Sequence, residues 1–196
     1  MTTDRLNLAL ADIDAANSRD PTAAGSGIAK ELLYGQRMSE VLGQFMPGAP
    51  EVLQIAARAQ HIERWVIARA SYGEGRIAYL KWRKDLQQHH AKRAAGIMAS
   101  NGYDEDDIAK VSALLRKEQL KHNPLTQALE DVICLVFLKY EAAEFIAAHD
   151  DGKVRDILAK TAKKMSARGL AEASKLTLDP RLGRLLSEAL TEPFRV

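Results

Sequence analysis

The hexapeptide Gln60-His61-Ile62-Glu63-Arg64-Trp65 gathers an imidazole, a carboxylate, a guanidinium and an indole into one and a half helical turns. Such a set can move a proton, grip an anion or hold a metal. His61 needs partners from distant segments, and two suggest themselves. His90 falls on the apolar stripe of a later helical stretch, and Asp131 stands just before the run Val132 to Leu138, which has no polar side chain. An ionised carboxylate in a dry core is costly unless it is paired or coordinates a cation. Two imidazoles and a carboxylate converging from three helices would give the mixed nitrogen and oxygen ligand set that suits manganese, iron, cobalt, nickel or zinc. An open position on such an ion lowers the pKa of bound water and polarises a phosphoryl oxygen. The chemistry expected is metal-dependent hydrolysis of a small phosphate-containing molecule such as a nucleotide. Glu63 and Glu130 neighbour the candidate ligands in sequence and could assist as base. Arg37, Arg64 and Arg83 supply planar bidentate donors for the anion, and Tyr34 could stack on a ring.

Each of these residues also has a structural use. Asp131 could pair with Arg64 or Arg83, and the histidines could be hydrogen-bonded packing residues. The alternative is a non-enzymatic helical binding or regulatory module whose buried His/Arg/Asp network sets helix register. Lys153, Arg155, Lys160, Lys163, Lys164 and Arg168 make a basic helix, which is more often a solvated face than a nucleic-acid surface.

The segments that must position these groups read as helices. Leu6, Leu8, Leu10 and Ile13 belong to a first helix that ends near Asn17-Ser18-Arg19-Asp20-Pro21. Leu32, Leu33, Met38, Val41, Leu42 and Phe45 define a second, stopped by Pro47-Gly48-Ala49-Pro50. Val52, Ile55, Ala59, Ile62 and Val66 predict a third from about Glu51 to about Ala70, with His61 on a second face beside Ala57, Trp65 and Ala68. Ser71 to Gly75 is a break, and a long helix follows from Arg76 to about Ser100. The acidic turn Asn101 to Asp107 caps a short helix through Val111, Leu114 and Leu115. Asn123-Pro124 opens the most apolar segment, whose helical flanks favour a buried helix over a strand. Beyond Asp151-Gly152 the basic helix runs through Met165, Gly169 marks its end, and Leu182 to Leu190 forms a last short helix. No stretch alternates as a strand. The expectation is an all-α, single-domain helical bundle spanning residues 1–196.

Bulk properties agree with this. A chain of 196 residues with 46% hydrophobic and 28% charged residues can bury a core without a disulfide. The net charge of +2, spread over interleaved acids and bases, implies no obligatory nucleic acid or anionic membrane. One cysteine, Cys134, and no apolar run of membrane-spanning or signal-peptide length point to a cytoplasmic protein.

The motifs Leu33-Tyr34-Gly35-Gln36-Arg37-Met38, Ala57 through Trp65, Tyr79-Leu80-Lys81-Trp82-Arg83, Leu129-Glu130-Asp131-Val132 and Lys164-Met165-Ser166 resemble the domain-of-unknown-function family four-thousand-two-hundred-and-two over nearly the whole chain. That resemblance implies a helical fold and brings no established activity. A more distant similarity is to the HD superfamily of helical metal-dependent phosphohydrolases, in which histidines and an Asp before an apolar helical run bind metal. His61, His90 and Asp131 fall in matching order, which implies an HD-like bundle with those three as ligands. Two positions depart from the pattern. Ile62 stands where an Asp would follow His61, and Tyr34, Gln36 and Arg37 stand where the first histidine is usual.

Overall fold

Short polar side chains start several of the helices by satisfying backbone N–H groups that have no partner within the helix. Asp104 accepts from Asp107 N at 2.9 Å, Asp150 from Lys153 N at 2.9 Å and Ser166 from Gly169 N at 3.0 Å. Asn123 accepts from Leu125 N at 2.9 Å, just ahead of Pro124, whose lack of an N–H suits a first turn.

The computed structural model describes residues 2–120 and 122–191. Ten α-helices run through them: α1 (Thr2–Asn17), α2 (Lys30–Phe45), α3 (Glu51–Arg58), α4 (Gly75–Ser100), α5 (Glu105–Leu115), α6 (Pro124–Val136), α7 (Ala142–Ala147), α8 (Asp151–Ala162), α9 (Ala167–Ala173) and α10 (Pro180–Thr191). A π-helical turn, Phe137–Glu141, joins α6 to α7. The described residues form no sheet, only an isolated bridge between Ala23 and Ala29. The fold is all-α, and the apolar run after Asp131 is helical, with Val132, Leu135, Val136 and Leu138 buried. Among the described residues no helix is long and apolar enough to cross a membrane.

The chain divides into two compact units, residues 1–129 and 130–196. In the first, α3 packs against α1, α2 and α5, while α4 lies along α5. Ile13, Met38, Leu53, Ile55, Met98, Val111 and Leu115 are at most 1% exposed, and each such side chain contributes about 1.5–3 kcal/mol by leaving water. In the second unit α8 packs against α7 and α10, burying Val154, Leu158, Leu182 and Leu185. Asp151 there accepts from Arg181 at 2.7 Å and from Arg184 at 2.8 Å, tying the start of α8 to α10.

Two helices are shorter than the apolar spacing predicts. The third stops at Arg58 rather than near Ala70, because tertiary polar contacts take over the backbone after Ala59. The basic helix stops at Ala162, and Gly169 lies inside the next helix, α9, instead of ending the one before. Ser166 caps α9, so the chain restarts a helix where the pattern suggested a stop.

Candidate functional site

The turn after α3 positions the central histidine. Gln60 N, Ile62 N, Arg64 N and Val66 N each reach only three residues back, to Ala57, Ala59, His61 and Glu63. Asn17, the last residue of α1, is buried, and its Oδ1 accepts from Glu63 N at 2.9 Å. Glu63 itself sits in the left-handed region at φ 49°, uncommon for a residue with a side chain. The tight turn redirects successive side chains. Ile62 and Gln60 are buried, whereas 23% of the His61 side chain remains open to solvent.

Three groups hold the His61 ring. Tyr34 of α2 stacks on it, centroids 3.9 Å apart and planes 12° apart. Glu31 Oε2 lies 3.2 Å from Nδ1, and Arg64 Nη1 lies 3.2 Å from Nε2. A guanidinium can only donate, so Nε2 must accept, and in the neutral ring the proton sits on Nδ1 and points at Glu31. Arg64 also lies over the Trp82 ring at 4.8 Å, and Trp82 is pinned by donating from Nε1 to Ile67 O at 2.9 Å.

His90 of α4 is the second imidazole, its ring centroid 6.2 Å from that of His61. It is 3% exposed and its Nδ1 lies 2.8 Å from Ile62 O. A carbonyl can only accept, so Nδ1 carries the proton and Nε2 presents a bare lone pair. That Nε2 is buried and has no hydrogen-bond partner. Leaving such an atom unsatisfied costs about 1–3 kcal/mol, so it asks for a ligand or a water. Asn17 Nδ2, Gln60 Oε1 and His89 Nε2 are further buried polar atoms without a hydrogen bond.

Cations outnumber carboxylates around the site, Arg64, Lys117, Lys30 and Arg83 against Glu31 and Asp20. Burial first, then the charges of Arg64, Lys117, Lys30 and Arg83, holds His61 well below the ordinary histidine range. Burial, then the neighbouring His61, does the same to His90, against the pull of its bond to Ile62 O. Burial pushes Glu31 up to about 7, although Arg64 opposes this. His61 is desolvated on most sides, yet the 23% of its side chain that stays open gives a ligand access to the ring. Four cations around a neutral imidazole would favour an anion there.

Of the residues singled out in the sequence, Tyr34, His61, Arg64 and His90 come together, and Arg83 lies within electrostatic reach of His61. Arg37 is half-buried on α2, one turn after Tyr34. Glu63 turns to Arg93, which grips it through both Nε and Nη2, the latter at 3.0 Å, with His89 Nε2 at 3.8 Å. Asp131 and Glu130 belong to residues 130–196, where both are buried. Asp131 accepts from Ser166 N at 2.8 Å and Ser166 Oγ at 2.6 Å, and Glu130 Oε1 lies 3.8 Å from Lys164 Nζ. Among the described residues, no three His, Cys, Asp or Glu side chains converge closely enough to hold a metal ion.

Sequence reading missed Glu31 and Asn17 as members of this cluster. Asn17 stood out only as part of the stretch that ends the first helix. The one visible signal was a long acidic side chain one turn before Tyr34, a pairing that matters only once Tyr34 is known to stack on His61.

No curated protein and no solved structure matches the chain. The sequence profile of the family described as domain of unknown function DUF4202 matches residues 7–186, and the chain belongs to that family.

Proposed function

We propose that the cluster around His61 binds a small phosphate-bearing molecule and that His90 promotes its hydrolysis. The observation that carries this is the bare Nε2 of His90, buried without a partner beside a second imidazole in a cationic surround. Arg64 and Arg83, with Lys30 and Lys117 nearby, would neutralise the phosphate, Arg64 exchanging His61 Nε2 for a phosphoryl oxygen. His90 Nε2 would take a proton from the attacking water, and its bond to Ile62 O keeps the lone pair facing away from the backbone.

A manganese, iron, cobalt, nickel or zinc ion, with the HD-like mechanism it would bring, fits these residues only in part. His90 Nε2 is a ready nitrogen ligand and His61 Nε2 becomes one if Arg64 moves, but no third side chain among the described residues joins them. A binding or regulatory module is the second reading. It is favoured by the two-point pairing of Glu63 with Arg93 and of Asp14 with Arg58, at 2.8 and 3.1 Å, which ties up charge inside the same unit.

The test is phosphate release from a panel of nucleotides and sugar phosphates, run with chelator and with each added divalent metal. We expect turnover by the wild type and a loss of about a hundredfold in His90→Gln, which keeps a donor for Ile62 O. Turnover only with added metal, lost in Asp131→Asn, would move the chemistry to an ion. Absence of turnover on every substrate, with phosphate anions still bound, would favour the regulatory module.

A further inference from the structure

We infer that the phosphate-bearing ligand also carries an aromatic or apolar group, which lies on a shelf formed by Tyr79 and Val66 beside the His61 cluster; this rests on the phosphate reading above. Tyr79 is 42% exposed and Val66 58%, both high for large apolar side chains. Both are tied to one buried residue, Tyr79 by ring contact and Val66 through the backbone of its neighbour. Trp82 lies one turn after Tyr79 on α4, with ring centroids 5.8 Å apart, and its indole N–H holds Ile67 O, next to Val66.

Two cations link the shelf to the His61 cluster. Arg64 spans from His61 Nε2 to the Trp82 ring, and Arg83 lies 5.8 Å from the Tyr79 ring while its charge acts on His61. Inorganic phosphate would use the cations and leave the apolar surface wet. An amphiphilic anion, with phosphate inward and a ring or chain outward, uses both. Ile77 and Leu80 are also exposed, at 87% and 50%, but project from the side of α4 opposite Trp82. They serve as an internal control.

Calorimetric titration at pH 9 with methylphosphonate and phenylphosphonate, which are both dianions there and resist hydrolysis, tests the shelf. Phenylphosphonate should bind wild type about tenfold more tightly than methylphosphonate. That gain should vanish in the double variant Tyr79→Ser with Val66→Ser, persist in Tyr79→Phe and persist in Leu80→Ser. Methylphosphonate affinity should be the same in wild type, Tyr79→Phe and Leu80→Ser, and the double variant is read by the ratio of the two affinities. Equal affinity of the two probes for wild type would overturn the shelf and leave the phosphate reading standing. A gain lost equally in Leu80→Ser would overturn it too, as would a wild-type dimer that Tyr79→Ser dissociates, which would make the shelf a self-association surface. Binding of neither probe would remove the phosphate reading and the shelf together.

Discussion

Asp131 and His90 are equally deep, 2% and 3% exposed, yet their surroundings treat them in opposite ways. Both oxygens of Asp131 accept from Ser166, and Ser166 Oγ in turn accepts from Gly169 N, so the carboxylate is committed to starting α9. Packing around it is so close that a Cβ at Gly169 would lie 2.5 Å from Asp131 Oδ1. His90 has one nitrogen committed to Ile62 O and the other to nothing. A buried polar group that is fully used specifies structure, whereas one left half used leaves capacity for a ligand at some cost in stability.

The largest effect that could break this contrast is Gly169→Ala. Helix propensity alone would make alanine stabilising by up to about 1 kcal/mol. The clash with Asp131 should instead destabilise by about 3 kcal/mol, seen as a lower urea midpoint. A midpoint that rises would mean the Asp131 lock is loose.

Glu31→Gln sharpens the other half. Burial raises Glu31 from 4.5 to about 7 in the folded chain. A group that holds its proton more tightly when folded adds stability below the unfolded pKa, and that stability is lost as pH rises through the folded pKa. Wild type should therefore lose about 3 kcal/mol from this residue between pH 4.5 and pH 7. Glutamine can still accept from His61 Nδ1, so the variant should match wild type at pH 4 and exceed it at pH 8 by about that amount. His61 and His90 act in the opposite sense, since their lowered pKa values remove stability as pH falls below 6.5, and this acid limb should be common to both proteins. Parallel pH profiles of unfolding free energy would show that Glu31 titrates normally.

Glu63→Gln is the mildest test. It removes a charge-assisted pair with Arg93, whose side chain is 41% exposed, and solvent screening holds the expected loss to about 1 kcal/mol. Phosphonate binding should be unchanged; a large loss of binding would bring Glu63 into the site and erase the distinction between its paired carboxylate and the uncommitted His90.

The all-helical fold was legible because apolar spacing and capping residues act locally. Leu53 and Ile55 on α3, the Asp104 cap of α5 and the Asn123-Pro124 start of α6 follow from neighbours within a few residues. The end of α3 was not legible. Val66 continues the apolar period past Arg58, yet the helix breaks because Asn17, 46 residues away, takes Glu63 N. The same non-local contact separates Ile62, buried, from His61, open.

What the sequence by itself determined is the helical class, the membership of DUF4202 and the identity of His61 and His90 as residues worth watching. Only the tertiary structure decided what each does with its polar atoms. Ile62, conspicuous in sequence as the absence of an Asp, turns out to matter through its carbonyl, which fixes the tautomer of His90. Glu31 and Tyr34 become the partners of His61 only because α2 lies beside the turn after α3. Hydrogen-bond commitment depends on which groups lie within about 3 Å across the fold, and that is not encoded in the spacing along any single helix.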